Sequence, residues 1–472
     1  MADWKFNAKE LADIIDGTVL VDHGEVVSGL GTDTRSDLSD QLFIALKGEV
    51  HDAHHFLQQA VEQGAKGVII HSELSQMDFF QDKAFVIKVH DTLRALQDLA
   101  LWWRRHCGWK VLGVTGSSGK TTTKELTKKI LEQKLKVHAN EKNFNNHWGV
   151  PFNLLGAPKH VDAVIVEMGM NHLGEIKRLC EIAEPTSVVC TMVGTAHIGE
   201  LGSKENIAKA KEEIYLNAPN ATKVFNIDNE QTIEMHLRAV ERGEKSIITF
   251  SSFRADADIQ LRAVEMTLDS LQIVGSILGV SGEVSLGVMG RHNIANIGAA
   301  VGLALSISFT PQDVWEYLNH LKLSAWGRNQ LVHLKNGSQI IFDAYNANPE
   351  SMAALIKNIF ELSFRGKKMA VFGEMLELGE ASARSHYAIG EMVGNADIDV
   401  VWFIGEHKGD FERGLKATGF SKTYFISDTY EETLALKFGS MIQPSDVVVL
   451  KGSRGIKLER VLNAWEPVDF NK

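Results

Sequence analysis

Alternating apolar and polar positions divide the first ninety residues into short elements. The runs LFIAL (42–46), GVII (67–70) and AFVIKV (84–89) have the length and apolar content of buried strands, and polar turns separate them. In DTLRALQDLALWWRRH (91–106), apolar residues recur at helical spacing. We therefore predict a small α/β domain over residues 1–90 and a connecting helix after it.

A second region alternates apolar runs with helical patterns. Its strand candidates are KVLGVTG (110–116), DAVIVEMG (162–169) and TSVVCTMVG (186–194). Alternation of strand and helix predicts a parallel sheet that is covered on both faces. Residues 258–288 alternate over shorter spans, which predicts antiparallel strands, and a helix is expected from about 293 to 307.

A third α/β region starts near residue 326, and its strand candidates are QIIFDAY (339–345), KMAVFGE (368–374), VVWFIG (400–405), TYFIS (423–427) and VVVLKGS (447–453). The pattern as a whole predicts an α/β protein of three domains. These are a small N-terminal α/β domain (1–90), a central parallel-sheet domain (91–325) and a Rossmann-like C-terminal domain (326–472).

Composition and charge narrow the class of protein. A chain of 472 residues is long enough for about two to four domains. The net charge of −11 argues against a nucleic-acid partner bound by neutralising phosphates. The three cysteines, Cys107, Cys180 and Cys190, lack metal-ligand spacing and fit a reduced compartment. We find no signal-peptide pattern and no apolar run of bilayer length, so we expect a cytoplasmic protein without a membrane partner.

The stretch VTGSSGKTTTKE (114–125) is a Gly- and Ser-rich turn between a predicted strand and a predicted helix. Such a turn binds phosphate through backbone N–H groups, with Lys120 on the outer phosphates and the Thr121 hydroxyl on Mg²⁺. Val114 stands where the strict pattern has its first glycine. The alternative is a turn that only caps a helix, but the strand-then-helix context favours a P-loop ATPase domain. The predicted ATP contacts in this loop are Thr115, Gly116, Ser117, Ser118, Gly119, Lys120, Thr121 and Thr122.

Beyond the loop, Glu167 and His197 are candidates for a metal site. Glu167 ends an apolar run, where the carboxyl edge of a parallel sheet faces a ligand, or it is a surface residue that closes the strand. His197 follows the next strand candidate and is otherwise a polar loop residue. Lys211 lies in a helical stretch, and its composition alone indicates a solvated lysine.

In this order the motifs resemble those of the Mur ligases, ATP-dependent amide-forming enzymes of peptidoglycan precursor synthesis. The motifs are TGSSGKTTT, VEMGMNHLGEI, GTAHIGELGS, AKAKEEIY and GRHNIAN. Four segments resemble the branch of the family that joins D-alanyl-D-alanine to UDP-N-acetylmuramoyl-tripeptide. They are EMGMNHLGEI (167–176), FDAYNANPESM (342–352), FGEMLELGEASARSHYAIG (372–390) and LKGSRGIKLE (450–459). The resemblance covers essentially the whole chain.

Other branches share fewer of these segments. TDTR (32–35) and LFIALKGE (42–49) are shared with the ligase of the preceding step, which has a different motif in place of YNANP. Folylpolyglutamate synthetases share the phosphate loop and lack the N-terminal module. The family pattern Asp-Gly-His-Asp-Phe reads DAHHF here, with Ala53 and His55 at the changed positions, which leaves the contacts around those two residues open.

The resemblance implies a role for each candidate. The lysine that matches Lys211 is carbamylated by CO₂ in these ligases, which makes it an anionic oxygen ligand. Two Mg²⁺ ions would be held by Thr121, Glu167, His197 and Lys211, and the residues expected to act in catalysis are Lys120, Glu167, His197 and Lys211. Further ATP contacts are expected from His292, Asn293, Asn296 (adenine), Arg328 and Asp343 (ribose). Substrate contacts are expected from Thr34, Arg35, Phe43, Lys47, Asn146, Tyr345, Asn346, Asn348 and Arg454.

Each assignment has a plainer alternative. His292, Asn293 and Asn296 lie where they would cap the helix predicted from 293 to 307, and this role is compatible with contacts to the adenine. The N-terminal set, Phe43 above all, fits ordinary turn and core positions. A kinase or GTPase would share the phosphate loop but would not explain YNANP, and a non-catalytic regulator would be expected to lose Lys120, Glu167 or Lys211.

The resemblance implies one reaction. ATP phosphorylates the tripeptide carboxylate, D-alanyl-D-alanine attacks the acyl phosphate, and UDP-N-acetylmuramoyl-pentapeptide, ADP and phosphate are released. The runner-up is the preceding ligase, which uses a free amino acid. We expect a monomer, and whether the tripeptide ends in diaminopimelate or lysine stays open.

Overall fold

The computed structural model of the chain describes residues 3–22, 24–48, 50–73, 77–140, 144–196, 198–323 and 326–470. The chain divides into two compact units, each built from several segments. The first unit comprises Met1–Thr115, Leu131–Val189 and Glu212–Lys223, and the second comprises Gly116–Ile130, Cys190–Lys211 and Val224–Lys472. The three domain ranges expected from the sequence stay a prediction.

The strands, in chain order, are β1 (Phe6–Asn7), β2 (Thr18–Val21), β3 (Val26–Val27), β4 (Leu30–Gly31), β5 (Leu42–Ile44), β6 (Gly67–Ile70), β7 (Phe85–Lys88), β8 (Lys110–Thr115), β9 (Val137–Ala139), β10 (Ala163–Glu167), β11 (Ser187–Cys190), β12 (Thr222–Asn226), β13 (Ile247–Ser251), β14 (Ile259–Met266), β15 (Leu271–Ile277), β16 (Val280–Leu286), β17 (Gln330–His333), β18 (Gln339–Asp343), β19 (Lys368–Gly373), β20 (Val400–Ile404), β21 (Thr423–Ser427) and β22 (Val447–Lys451).

The α-helices are α1 (Ala8–Ile15), α2 (Leu57–Glu62), α3 (Thr92–Cys107), α4 (Lys120–Leu131), α5 (Gly149–Gly156), α6 (Glu175–Ala183), α7 (Ile198–Leu201), α8 (Lys204–Leu216), α9 (Glu230–Glu241), α10 (Asn293–Leu305), α11 (Pro311–Leu318), α12 (Pro349–Glu361), α13 (Ser382–Asn395), α14 (Lys408–Ala417), α15 (Glu432–Gly439) and α16 (Glu459–Asn463). None of the described helices combines the length and the apolar content that crossing a membrane requires.

The first unit contains a five-stranded sheet in the order β2-β7-β6-β5-β4. Strands β4 to β7 pair in parallel, and β2 is antiparallel to β7. Phe43, Val68 and Val86 of this sheet pack in one core cluster with Leu57 and Ala60 of α2. The three strands and the connecting helix predicted for this part of the chain are confirmed.

Further strands of the first unit follow the order β11-β8-β10-β9. Strands β8 and β10 are parallel, and their register sets Glu167 opposite Val114. All five residues of β10 are buried, as expected for a strand that is covered on both faces. The sequence predicted the parallel arrangement and the strands β8, β10 and β11 correctly, whereas the three-residue strand β9 was not predicted.

In the second unit, β13 to β16 lie in chain order, and β14, β15 and β16 pair antiparallel as predicted. A six-stranded sheet follows, in the order β17-β18-β22-β19-β20-β21. Its last five strands in the chain are mutually parallel, and they are the five that the sequence predicted. The antiparallel edge strand β17 was not predicted, because its four residues give too short a pattern.

The last strand of the chain, β22, inserts between β18 and β19. The direction in which strands are added to the sheet reverses there, and such a switch point is where parallel sheets bind ligands at their carboxyl edge. The turns after Asp343, Gly373 and Lys451 leave the sheet at this edge. Asn348 caps α12 by accepting a hydrogen bond from Ser351 N–H, which fixes the course of the YNANP segment after β18.

Candidate functional site

The glycine loop connects the end of β8 at Thr115 to the start of α4 at Lys120. Gly116 has φ +149° and Gly119 has φ +83°, a region that favours glycine. A Cβ atom at Gly116 would overlap with Thr191 Oγ1, and one at Gly119 would overlap with Asn296 Oδ1. The loop is therefore a backbone surface that other residues would fill, as a phosphate cradle requires.

Residues that follow β11 support this loop from within the second unit. Ser117 donates from its backbone N–H to Met192 O at 2.9 Å and from Oγ to Gly194 O at 3.4 Å. Thr191 Oγ1 donates to Ser118 O at 2.5 Å. The acceptors of these bonds are the carbonyl groups of Met192, Gly194 and Ser118. The bonds therefore fix the loop without using the N–H groups of residues 118 and 119.

Two lysines lie against the loop. Lys120 Nζ donates to Gly116 O at 2.7 Å, so its ammonium group folds over the cradle. Lys211 is 1% exposed, which excludes a solvated helix lysine. Burial, together with the nearby Lys120 ammonium, lowers the pKa of Lys211 to about 7. Burial raises the pKa of the neighbouring Cys190 thiol to about 11, so Cys190 stays neutral and does not offset these cations.

Glu167 closes β10 and is 3% exposed, which excludes an ordinary surface glutamate. Its Oε1 accepts a hydrogen bond from Asn145 Nδ2 at 3.0 Å, and Asn145 O accepts from Gly169 N–H at 2.7 Å. Asn145 therefore orients the carboxylate. The sequence analysis missed Asn145, although it stands next to the predicted Asn146. The predicted His197 lies outside the described residues.

Residues of the C-terminal sheet meet the loop. Arg328 Nη2 donates to Thr121 Oγ1 at 2.9 Å, and the guanidinium carbon lies 4.4 Å from the centre of the Tyr345 ring. Asn348 Nδ2 donates to Ser117 O at 3.4 Å. Three predicted site residues are thus brought together with the phosphate loop from positions more than 200 residues later in the chain.

Asp343 lies at the end of β18, where both of its oxygens are hydrogen-bonded. Oδ1 accepts from Asn329 N–H at 3.2 Å, and Oδ2 accepts from Lys451 Nζ at 2.6 Å. The same Lys451 ammonium donates to Asn346 O at 3.1 Å. Sequence reasoning did not single out Lys451, although it lies within the quoted LKGSRGIKLE segment.

The three residues predicted around the adenine start α10. Asn296 Nδ2 donates to Asn293 Oδ1 at 2.8 Å, and Thr123 Oγ1 donates to Asn296 Oδ1 at 3.4 Å. The ring nitrogens of His292 lie 2.8 Å from Asn358 Nδ2 and 3.4 Å from Asn329 Nδ2. Within the described part of the chain, the His292 side chain makes no capping hydrogen bond to this helix.

Within the first unit, a cavity of about 1380 Å³ is lined by the predicted Asn146 together with Lys5, Thr32, Trp148 and other residues. Asn146 Oδ1 accepts from Trp148 N–H and Gly149 N–H, which fixes the start of α5. Four other predicted substrate residues are not among the described residues that line it: Thr34, Arg35, Phe43 and Lys47.

These four have other surroundings. Thr34 is buried. Phe43 is a core side chain with 1% exposure. Arg35 pairs with Asp33 at 2.7 Å on the surface. The backbones of Lys47 and Asp52 form an isolated antiparallel β-bridge. This bridge lies next to Ala53 and His55, where the sequence departs from the family pattern.

Arg454 lies beyond the end of β22. Its Nη1 donates to Glu459 Oε1 at 2.6 Å, and the guanidinium carbon is 4.6 Å from the centre of the Trp326 ring. About half of the Arg454 side chain is exposed, whereas Glu459 is buried. Arg454 thus presents a fixed cation at the carboxyl edge of the sheet, which suits an anionic ligand.

The second unit therefore combines a glycine cradle with the cations of Lys120 and Arg328. Backbone N–H groups and cations that converge on one loop bind the phosphate groups of a nucleotide and stabilise charge that develops during phosphoryl transfer. The chemistry that this arrangement supports is binding of nucleotide phosphates and transfer of a phosphoryl group.

Comparisons with known proteins agree with this chemistry. The Mur ligase middle domain matches residues 114–304, and the Mur ligase glutamate ligase domain matches residues 327–454. The chain is 34% identical over 460 residues to the UDP-N-acetylmuramoyl-tripeptide--D-alanyl-D-alanine ligase of Bacillus subtilis, covering 97% of this chain and 98% of that protein.

Solved structures show the same fold. A crystal structure of MurF from Acinetobacter baumannii has a TM-score of 0.87 and 29% identity, covering 98% of both chains. The MurF ligase of Thermotoga maritima in complex with ADP has a TM-score of 0.78 and 27% identity, covering 93% of this chain and 97% of that one. The fold is the three-domain α/β fold of these enzymes, and the chain belongs to the Mur ligase family.

Proposed function

We propose that this chain is an ATP-dependent ligase that joins D-alanyl-D-alanine to the C-terminal carboxylate of UDP-N-acetylmuramoyl-tripeptide. The products are UDP-N-acetylmuramoyl-pentapeptide, ADP and phosphate, and the step belongs to peptidoglycan precursor synthesis. The observation that carries the proposal is the end-to-end similarity, at 34% identity, to a relative that bears this activity in its name. The converging glycine loop and cations supply the matching chemistry.

The reaction takes place in two steps. A carboxylate oxygen of the tripeptide forms a bond to the γ-phosphorus of ATP, and the bond from that phosphorus to the bridging oxygen of ADP breaks. The neutral amine of D-alanyl-D-alanine then attacks the carbonyl carbon of the acyl phosphate. The tetrahedral intermediate collapses with loss of phosphate, and the amine proton leaves to solvent or to phosphate.

The phosphate loop and its lysine supply positioning and charge stabilisation for the first step. Backbone N–H groups of the loop and the Lys120 ammonium hold the β- and γ-phosphates of ATP. Arg328, which bonds Thr121, adds a second cation beside the loop. These charges offset the repulsion between the attacking carboxylate and the triphosphate. No covalent enzyme intermediate is required.

We assign Mg²⁺ binding, from the family resemblance, to Thr121, Glu167, His197 and a carbamylated Lys211. When bound, Mg²⁺ neutralises phosphate charge and brings the two anions together. The residues fit this role, because Glu167 is a buried carboxylate oriented by Asn145. Lys211 is a buried amine whose neutral form is the species that adds CO₂, and the resulting carbamate turns a repelling cation into an oxygen ligand.

The substrates are assigned to the predicted domains. Residues 91–325 bind ATP, with Asn296 on the adenine, and Asp343 of residues 326–472 contacts the ribose. Residues 1–90 bind the UDP-sugar, and Asn146 contacts it in the cavity of the first unit. The acceptor meets the turns of the C-terminal sheet through Tyr345, Asn346, Asn348 and Arg454. The enzyme acts as a cytoplasmic monomer, without nucleic-acid or membrane partners.

The test is a reconstituted reaction. The purified chain is mixed with Mg-ATP, bicarbonate, UDP-N-acetylmuramoyl-tripeptide and either D-alanyl-D-alanine or free amino acids. We expect phosphate release that depends on the dipeptide, and a product with the mass of the UDP-pentapeptide. Turnover with a free amino acid would instead assign the chain to the ligase of the preceding step. A phosphorylated product would indicate a kinase. No turnover at all would indicate a nucleotide-binding regulator.

A further inference from the structure

Lys451 is a buried cation in the C-terminal sheet that the mechanism above does not use. It ends β22, and the parallel register places it opposite Asp343 of β18. Its side chain is 2% exposed, and that of Asp343 is 17% exposed. An ammonium group this deeply buried is costly unless it is paired and hydrogen-bonded, so its partners define what it does.

The partners of Lys451 lie at both ends of one turn. Nζ donates to Asp343 Oδ2 at 2.6 Å and to Asn346 O at 3.1 Å. The ammonium therefore spans the turn that follows β18, and it holds the carboxylate relative to the backbone carbonyl three residues further on. Since Asp343 Oδ1 accepts from Asn329 N–H, the plane of the carboxylate is fixed from two sides.

A short series of contacts continues from this pair to the phosphate loop. Asn329, which bonds Asp343, is adjacent in the chain to Arg328, and Arg328 donates to Thr121 Oγ1 at 2.9 Å. Tyr345, inside the turn that Lys451 spans, packs against Arg328 and donates from its N–H to Gly327 O at 3.1 Å. The turn fixed by Lys451 is thus part of the wall of the nucleotide site.

We propose that Lys451 is a positioning residue of this site, which holds the Asp343 carboxylate in the orientation that meets the ribose of ATP. The inference rests on the proposed function, in which Asp343 contacts that ribose. Lys451 also balances the charge of Asp343, which would otherwise stand unpaired beside an anionic triphosphate. Its contribution appears in the selection of the nucleotide and not in the chemical step.

The test measures discrimination between nucleotides that differ only at the ribose. kcat and KM are determined with ATP, 2′-deoxy-ATP and 3′-deoxy-ATP for the wild type and for Lys451→Met. We expect the wild type to prefer ATP over at least one analogue by about tenfold or more, because that analogue loses one hydrogen bond to a charged group. In Lys451→Met, KM for ATP rises about tenfold, kcat changes less than about threefold, and the preference falls below about twofold.

A second variant guards against misfolding. Asp343→Asn/Lys451→Met removes both charges and leaves no unpaired ion in the core, so it folds even where the single variant does not. If Lys451 acts through Asp343, adding Lys451→Met to Asp343→Asn changes the ribose preference no further. The control is Lys422→Met. Lys422 lies just before β21 and also donates to two acceptors, Asp397 and Asp399, which lie just before β20 and away from the turn that Lys451 spans.

The outcomes separate this inference from the proposed function. An equal loss of kcat/KM for all three nucleotides in Lys451→Met would make the residue structural and overturn the inference, as would a wild type without ribose preference. If the wild type shows no ligation at all, the proposed function fails. The affinities of the same variants for ADP, 2′-deoxy-ADP and 3′-deoxy-ADP, measured by calorimetry, then decide the role of Lys451. Loss of the preference for ADP in Lys451→Met supports the inference, and a preference equal to that of the wild type overturns it.

Discussion

Arg328 and Thr121 are joined by a hydrogen bond of 2.9 Å, from the guanidinium Nη2 to the hydroxyl of the phosphate-loop threonine. The two residues are 207 positions apart in the chain. The same guanidinium packs against the Tyr345 ring, so its plane is held by an aromatic neighbour as well as by the bond. A cation fixed in this way beside Thr121 adds to the field that the nucleotide phosphates meet.

Replacing Arg328 is expected to weaken ATP binding. Arg328→Lys keeps the charge but loses the planar donor group and its packing on Tyr345, so we expect KM for ATP to rise about tenfold. Arg328→Ala removes the charge as well, and a rise of about a hundredfold is expected. Steady-state kinetics with varied ATP measure both. Arg365→Lys, an exposed position, is the control, and an unchanged KM in Arg328→Ala would contradict the role of this cation.

Gly119 is expected to tolerate no side chain. A methyl group there would overlap with Asn296 Oδ1, and φ of +83° disfavours any other residue, so the loop must shift in Gly119→Ala. We expect KM for ATP to rise more than tenfold, in keeping with loss of about 1.4 kcal/mol or more of binding. Isothermal titration with ADP measures the same loss directly.

The matched control for the loop is Gly409→Ala. Gly409 lies in helix α14, where a Cβ atom would meet no described atom within 4 Å beyond its chain neighbours and the backbone of its own helix. Alanine is favoured over glycine in a helix, so stability is expected to rise slightly without any change in ADP affinity. Equal ADP affinity in Gly119→Ala and Gly409→Ala would argue against phosphate binding at this loop.

Lys211 is expected to be needed for activity and dispensable for folding. Lys211→Met keeps the buried stem and removes an amine whose burial is unfavourable, so the free energy of unfolding should not fall. Activity should fall at least about a thousandfold, as for loss of a group that stabilises the transition state. Urea unfolding and phosphate release measure the two effects.

Carbamylation itself can be followed without activity. Protein equilibrated with ¹³C-bicarbonate should show a carbamate carbon resonance that Lys211→Met lacks. Lys209→Met, an exposed position on the same helix, should retain the resonance. A resonance that survives in Lys211→Met, or is absent from the wild type, would remove the carbamate from the proposed metal site.

His386 orders the turn after β19 in its neutral form. Its Nε2 accepts from Met375 N–H at 2.9 Å, which requires an unprotonated nitrogen, and Nδ1 lies 2.8 Å from Ser382 O. The ring stacks on His407 at a centroid distance of 4.8 Å. Burial lowers the pKa of His386 to about 4.

Stability is therefore expected to fall as the medium becomes acidic. The unfolded ring titrates near 6.5, so the unfolded chain binds the proton first, and the stabilisation present above that pH is lost as the pH falls towards 4. Between pH 7 and pH 5 the loss amounts to about 2 kcal/mol. The other charged groups that face the rings, Asp410 and Glu374, contact His407 at 2.8 and 3.9 Å.

Urea unfolding at pH 7 and pH 5 isolates this contribution. His386→Gln is less stable at pH 7, but it should lose about 2 kcal/mol less than the wild type on acidification. His320→Gln, at an exposed position, should keep the pH dependence of the wild type. The same pH dependence in His386→Gln as in the wild type would show that other groups control acid stability.

Local pattern was sufficient for many of the buried parallel strands and for the phosphate loop. Parallel strands buried on both faces are continuous apolar runs, so β8, β10 and the five parallel strands of the C-terminal sheet could be read directly. The loop could be read because its glycines, lysine and threonine stand next to one another between a strand and a helix. The four-residue edge strand β17 escaped prediction, since so short a run has no distinctive period.

Tertiary structure decided what the remaining residues touch. Composition indicated a solvated Lys211, and only the packing of α8 buries it. Asp343 and Lys451 are 108 positions apart, and they pair because β22 inserts beside β18. Strand order is set by long-range packing free energy, which no local window of sequence contains. The sequence by itself therefore determined the elements and the chemistry of the loop, whereas the fold decided which distant side chains orient that chemistry.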